Sequence, residues 1–164
     1  MHSMLIVYHS DTGGTLQMVR AAQQGAEHAD PAVDVHLLHA DAAGAEDLLA
    51  ADGYLFATPE NLAAICGIVK HFFDRTYYAV LERIAGRPYA CMICAGSDGS
   101  NAARQIERIA SGWRLRAIAP PLIVCTHAQT PAEISRSKQI GADDMRRCRE
   151  LGATMAGGVG LGIF

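Results

Sequence analysis

The sequence predicts a single α/β domain over residues 1–164: a doubly wound three-layer sandwich on a five-stranded parallel sheet in strand order 2-1-3-4-5. Three observations carry this. Apolar strand-like runs alternate with helix-like stretches along all 164 residues, as in successive βα units. The first run, Met4–His9, leads through the hexad Ser10-Asp11-Thr12-Gly13-Gly14-Thr15 directly into a helical stretch. Three predicted strands end in short segments of small, polar or glycine residues. In this architecture such segments meet beyond the carboxyl ends of the strands, at the switch point between the first strand and the third.

The elements follow in order. Met4–His9 reads as a buried strand, and Thr15–Ala29 as a helix stopped by Asp30-Pro31. Val33–Leu38 alternates apolar and polar residues at first, as a strand nearer an edge does. Ala45–Ala50 is a short helix. Gly53–Ala57 is the third strand, ended by Thr58-Pro59, and Ile65–Ile84 a long helix closed by Gly86. Pro88–Ala95 is the fourth strand, ended by Gly96, and Ser100–Ser111 a helix closed by Gly112. Trp113–Val124 is a strand region broken by Pro120-Pro121, Lys138–Met155 the last helix, and Gly157–Phe164 a glycine-rich apolar tail.

Composition excludes several classes. Half of the residues are hydrophobic and 19% charged, ordinary for a globular protein with a real core. The net charge of −3 and the lack of a basic stripe interleaved with aromatics speak against nucleic-acid binding. The balance is uneven: residues 1–100 hold 5 basic and 12 acidic groups, residues 101–164 hold 9 and 5. No apolar run approaches the ~18 residues of a membrane span. The strand-like sequence begins at Met4 without a basic leader. An odd set of 5 cysteines without framework spacing fits free thiols in a reducing compartment, so the expected location is cytoplasmic.

The hexad carries the most chemistry. Three hydroxyls and two glycines at a strand-to-helix turn suit a phosphate dianion, held by hydroxyls, backbone N–H groups and the positive end of a helix dipole. It contains no Lys or Arg. It also lacks the Gly-Lys-Ser/Thr of the triphosphatase loop, which points to holding phosphate rather than transferring it.

With three loops in place, the chain resembles the flavodoxin-like FMN proteins. The hexad fits their phosphate-loop pattern Thr/Ser-x-Thr-Gly-x-Thr at every specified position. Ala51–Tyr78 is similar to the flavin-loop region of the NAD(P)H-dependent FMN and quinone reductases, including the tryptophan-repressor-binding-protein type. The shared features are a Thr-Pro loop and then Gly67, Lys70, Phe73, Asp74 and Arg75 on a helix. The resemblance implies a flavodoxin-like sandwich in which Ser10, Thr12, Gly13, Gly14 and Thr15 hold the FMN phosphate. It further implies that Thr58, Pro59, Glu60 and Asn61 line the isoalloxazine ring, and that Gly96, Ser97, Asp98 and Gly99 offer backbone groups to its pyrimidine edge. NADPH or NADH is the implied cosubstrate and a small molecule such as a quinone the implied acceptor. The resemblance implies catalysis through flavin N5, without an obligatory side-chain acid or base. A homodimer or homotetramer is implied, with Phe72, Tyr77, Tyr78 or the tail as candidate contacts beside ordinary internal packing.

The second and third loops lack the Trp, Tyr or Phe that sandwich the ring in electron-carrying flavodoxins. The chain is also not strongly acidic. Both features favour a reductase over the alternative, a one-electron carrier flavodoxin. A domain that binds no flavin and acts as an interaction module is the remaining rival. A receiver-type signalling domain lacks its acidic cluster here: the third strand ends in Thr58, and Cys125-Thr126 stand where a Lys is needed.

Other motifs read as structural. Cys91 and Cys94 have dithiol spacing, but inside a strand residues three apart face opposite ways. No histidine joins a metal-ligand cluster. His36 and His39 read as surface groups, His9 as a packing or solvent group beside the loop. His127 follows the fifth strand on the ligand side, where a substrate contact is a positional alternative. Asp74-Arg75 reads as an ion pair or a contact to a neighbouring loop.

Overall fold

Strict alternation of facing residues builds the molecule. In the computed structural model, which describes residues 1–164, β1 (Ser3–Tyr8) sends Leu5 and Val7 to one face of the sheet and Met4 and Ile6 to the other. The same division recurs in β3 (Gly53–Asn61), with Tyr54 and Phe56 opposite Leu55 and Ala57. In β5 (Pro88–Ala95), Tyr89, Cys91 and Ile93 lie opposite Ala90, Met92 and Cys94. All of these residues are buried, so the sheet needs helices on both faces.

One face is aromatic. Phe56 lies 5.3 Å from Phe73 and 6.3 Å from Trp113, centroid to centroid, under α2 (Ala45–Ala50), α3 (Gly67–Val80) and α4 (Ser100–Gly112). Tyr77 stacks on Trp113 at 5.6 Å and its carbonyl accepts from the indole N–H, so Tyr77 packs internally while Tyr78 is exposed. Arg75 donates to the carbonyl of Ala40 in a neighbouring loop, and Asp74 pairs with Lys70.

The other face is aliphatic and covered by α1 (Gly14–Ala29) and α6 (Ala142–Leu161). Two glycines bring these helices into backbone contact. A Cβ on Gly152 would lie 1.9 Å from the Ala22 carbonyl oxygen, and one on Gly25 would lie 2.0 Å from that of Arg149.

The parallel, flavodoxin-like sheet is present, but the expected five strands in order 2-1-3-4-5 give way to seven. The order is β2-β1-β3-β5-β6, with β2 at Asp34–His39 and β6 at Arg116–Ala117; β4 (Ala64–Ile65) pairs with β3 and β7 (Leu122–Cys125) with β5. Two causes are physical. Pro120-Pro121 removes two ladder donors, so the strand region at 113–124 splits into β6 against Pro88-Tyr89 and β7 against Met92–Ala95. Thr58-Pro59 does not end the third strand, because Pro59 continues in register opposite Cys94 and Asn61 turns back into the antiparallel β4.

The C-terminal region also differs from its reading. The helix starts at Ala142, preceded by the short α5 (Pro131–Ser135), and continues through the glycines to Leu161. Two of them are packing positions: Cβ atoms at Gly158 and Gly160 would strike the Phe164 ring and the Asp30 carboxylate. At the sheet edge, β2 carries the exposed pair Asp34–His36 at 2.9 Å. No helix is long and apolar enough to cross a membrane.

The helix contact generates a prediction. Gly152→Ala forces α1 and α6 apart and lowers stability by about 1–3 kcal/mol. Gly157→Ala on the same helix meets open space and raises stability by about 0.5–1 kcal/mol through helix propensity. Urea denaturation of both variants gives shifts of opposite sign.

Candidate functional site

Parallel register sets the site. Tyr8 stands opposite Ala57, Pro59 opposite Cys94, and Ala95 opposite Cys125, so four chain exits leave one edge of the sheet together. They enclose a cleft of about 610 Å³, within the size range of small-molecule and cofactor sites.

The first exit is the hexad. Ser10 Oγ accepts from the N–H groups of Gly13 and Leu16, both at 3.2 Å, which closes the turn and caps α1 while leaving the hydroxyl hydrogen free. Gly13, at φ +91°, supplies the left-handed residue before the helix. The N–H groups of Thr12, Gly14 and Thr15 find no partner within the protein. Thr15 is 2% exposed, and its Oγ1 is the one buried side-chain polar atom without a hydrogen bond. It approaches the Cys94 thiol without acceptable hydrogen-bond geometry. A Cβ on Gly14 would lie 2.6 Å from Cys94 Sγ. The turn is thus a glycine-dependent concavity of unspent donors at a helix N-terminus. A phosphate dianion, an acceptor with no donor of its own, fits it.

The second and third exits are tied to each other. Glu60 accepts from the N–H groups of Gly99 (2.9 Å) and Ala102 (3.2 Å), so its carboxylate caps α4. The Gly99 N–H is spent in this bond and is not offered to a ligand. Asp98 accepts from Ser100 N–H at 3.2 Å. Thr58 is fully buried, and its hydroxyl is engaged with the Pro59 carbonyl and with Cys66. Of the residues expected at the site, Ser10, Thr12, Gly14, Thr15, Pro59, Glu60, Asn61, Gly96 and Ser97 line the cleft. Gly13, Thr58, Asp98 and Gly99 stand behind it and shape the loops.

The β3–β4 turn is unusual. Leu62 and Ala63 form its two-residue tip with φ of 51° and 61°, the sign pattern of a type I′ turn, which favours Asn-Gly. Leu62 is fully exposed at the rim of the cleft. Asn101 holds the turn through the Ala63 carbonyl.

A polar chain runs away from the first loop. Asn61 Nδ2 donates to Asp11 at 2.8 Å, joining the first and second exits. The other Asp11 oxygen bonds His9 Nε2 at 2.7 Å, and His9 Nδ1 lies 2.8 Å from His39 Nε2. The Asp41 N–H donates to His39 Nδ1 at 3.3 Å, so the His39–His9 bond is donated by His39 and His9 donates to Asp11. The Asn61 hydrogen bond, with His9 beside it, holds the Asp11 carboxyl below its usual range despite some burial. His9 and His39, read from sequence as packing and surface groups, are therefore structural partners of the first loop. His127 has a left-handed backbone and donates its N–H to Gly96 O, but it does not line the cleft.

At the fourth exit the sequence marks only His127, and it places Lys138 at the start of the last helix. Residues 126–141 fold over the first loop and add Thr126, Ala128, Gln129, Ile134 and Lys138 to the lining. Lys138 Nζ lies 3.2 Å from Thr12 Oγ1. The connection carries Glu133, Arg136 and Lys138, and nothing in their spacing marks Lys138 as the one that reaches the cleft.

Burial pushes Cys91 up to about 12 and Cys94 up to about 11, and the two lie on opposite faces of β5. No disulfide is present and no metal-binding cluster occurs.

A family model described as NADPH-dependent FMN reductase matches residues 16–130. A flavodoxin of Aquifex aeolicus is 35% identical over 99 residues, covering 60% of this chain and 53% of its own. The chain thus spans about half the length of that curated relative. Among solved structures, a flavodoxin from the domain Archaea superposes with a TM-score of 0.77 at 19% identity, covering 96% of this chain and 99% of its own. A flavodoxin, WrbA-like protein of Agrobacterium tumefaciens gives 0.75 at 18%, covering 98% and 99%. At these identities the superpositions show the fold.

The strained turn yields a prediction. Replacing Leu62-Ala63 by Asn-Gly relieves two left-handed non-glycine residues and raises the stability of the ligand-free protein by about 1 kcal/mol. Thermal melting of the double variant L62N/A63G checks this.

Proposed function

Because the chain belongs to the NADPH-dependent FMN reductase family, we propose that it is an FMN-dependent oxidoreductase that takes reducing equivalents from NADPH and delivers them to a small two-electron acceptor such as a quinone. The observation that carries the reading is the turn Ser10–Thr15, with its unpartnered N–H groups and orphaned Thr15 hydroxyl, at the mouth of a cofactor-sized cleft. When bound, FMN supplies the two-electron hydride chemistry.

The protein's own part is binding and placement. Thr12 and Thr15 hold the phosphate with side-chain and backbone donors, and the N-terminus of α1 adds its dipole. Pro59, Asn61, Gly96 and Ser97 form the walls along the ring. Glu60 fixes the distance between those walls from behind, through the N-terminus of α4. Asp11 and Asn61 fix the phosphate end against the ring end. No aromatic side chain lines the cleft, so one ring face is left for a planar substrate to stack upon. Such stacking places donor and acceptor by proximity and requires no acid or base from the chain. A homodimer or homotetramer, with exposed Tyr78 at a contact, belongs to the same proposal.

A one-electron carrier is the second reading, favoured by the sequence match to a flavodoxin. An anaerobic visible spectrum separates the two. Desalted, FMN-reconstituted protein keeps its flavin bands, NADPH bleaches them, and a quinone restores them. Bands that persist in NADPH and bleach only with a separate reductase establish the carrier.

Thr15→Val tests the site itself. The hydroxyl has no partner in the protein, so the ligand-free variant melts no lower than the parent. FMN binds about tenfold more weakly, as loss of a hydrogen bond to a charged group requires. Fluorescence titration of FMN measures this.

A further inference from the structure

Lys138 is an ammonium group without a counter-ion. It is the only Lys or Arg that lines the cleft, and it takes part in no ion pair. The nearby carboxylates are spent elsewhere: Asp11 on Asn61 and His9, Glu60 on the N-terminus of α4, and Glu133 on the N–H groups of Gln129 and Thr130. Nζ instead donates to the backbone carbonyls of Glu133 (3.0 Å), Ile134 (2.8 Å) and Arg136 (2.6 Å), with Thr12 Oγ1 as its fourth neighbour at 3.2 Å. Carbonyls hold a cation in place without cancelling its charge.

The backbone of Lys138 is stitched to the same loop from both sides. Its N–H donates to Thr12 O at 2.9 Å, and its carbonyl accepts from Gln17 Nε2 at 2.8 Å. Gln17 also donates to Gly13 O and accepts from Ile140 N–H, so one amide binds the turn and the overlying segment together. The cation therefore keeps a fixed position relative to the loop before any ligand arrives.

We infer that Lys138 is the counter-charge for the phosphomonoester of the cofactor and sets selectivity for FMN over unphosphorylated riboflavin. This rests on the reading of the cleft as an FMN site. The charge acts in two ways. Its field favours a dianion over a neutral group at the turn, whose other contributions are partial charges of amides, hydroxyls and a helix end. Its approach to Thr12 Oγ1 also occupies that oxygen as an acceptor, turning the Thr12 hydroxyl hydrogen outward to the ligand. Lys138 is thus a positioning residue for Thr12 as well as a counter-charge. The absence of a basic residue from the hexad is made good from 126 residues further along the chain.

The test is titration of FMN and of riboflavin into ligand-free wild type, Lys138→Met and Lys138→Arg at about pH 8, where the phosphate is a dianion. In Lys138→Met the Kd for FMN rises about tenfold or more, while that for riboflavin changes by less than about twofold, and Lys138→Arg falls between. In wild type, added NaCl weakens FMN binding and leaves riboflavin binding unchanged, a readout that needs no variant to fold. Equal losses for FMN and riboflavin overturn the inference, because Lys138 would then only hold the overlying segment. An unchanged FMN Kd overturns it too, as does a variant whose altered discrimination is confined to NADPH against NADH. Wild type that binds FMN while Lys138→Met matches it sinks this inference alone. Wild type that binds no FMN sinks the reading of the cleft with it.

Discussion

Where α1 points decides what the cleft can hold, and its direction is set by backbone contact with α6. Gly25 and Gly152 leave no room for a side chain between the two helices. A helix packed through side chains sits about 8–10 Å from its neighbour, and removal of Cβ atoms permits a closer and less adjustable crossing. The N-terminal turn of α1, with its unpartnered N–H groups, is aimed from this fixed axis at the end of β1. Ser10 then closes the turn, and Gly13 and Gly14 let it pass under Cys94 and Lys138. Fold and site are linked here by geometry alone.

The second principle of the site is that its polar side chains are occupied with one another. Glu60 binds the β3 exit to α4, Asp11 binds the first loop to Asn61, and Gln17 binds it to the segment after β7. Each tie orders a loop that a ligand would otherwise have to order at its own expense in affinity. What stays unspent around the first exit is amide N–H groups and hydroxyl hydrogens, together with the uncancelled charge of one ammonium. A pocket of donors with its acceptors engaged elsewhere discriminates by charge before shape enters.

Much of this was legible in the sequence because it is local. The hexad is contiguous, strand ends are marked by glycine and proline, and parallel α/β order brings those ends to one edge without further information. Facing of Cys91 and Cys94 followed from strand period alone. What escaped reading depends on long-range pairing or on broken local rules. Lys138 reaches Thr12 from a connection without periodicity. His9 and His39 meet because Tyr8 and His39 pair in register, a fact of β1–β2 alignment that single-strand patterns do not contain. The β3–β4 hairpin has Leu62-Ala63 where Asn-Gly would have announced a turn, so Thr58-Pro59 looked like an end. Gly158 and Gly160 read as part of a tail because Asp30 and Val33, which pack on Gly160, lie far back in the sequence and Phe164 reaches Gly158 only by folding back on the helix end.

The two flanks of the sheet close it to growth by different means. On one side β2 presents Asp34 and His36, ionisable groups two residues apart on the outermost strand. On the other, Pro120-Pro121 leaves β6 and β7 as fragments of two and four residues with a gap in the ladder between them. Neither flank offers an incoming strand a continuous apolar template, and charged or interrupted edges of this kind suppress strand-to-strand aggregation. What the fold leaves open to other chains is helix surface and loop rim rather than a sheet edge.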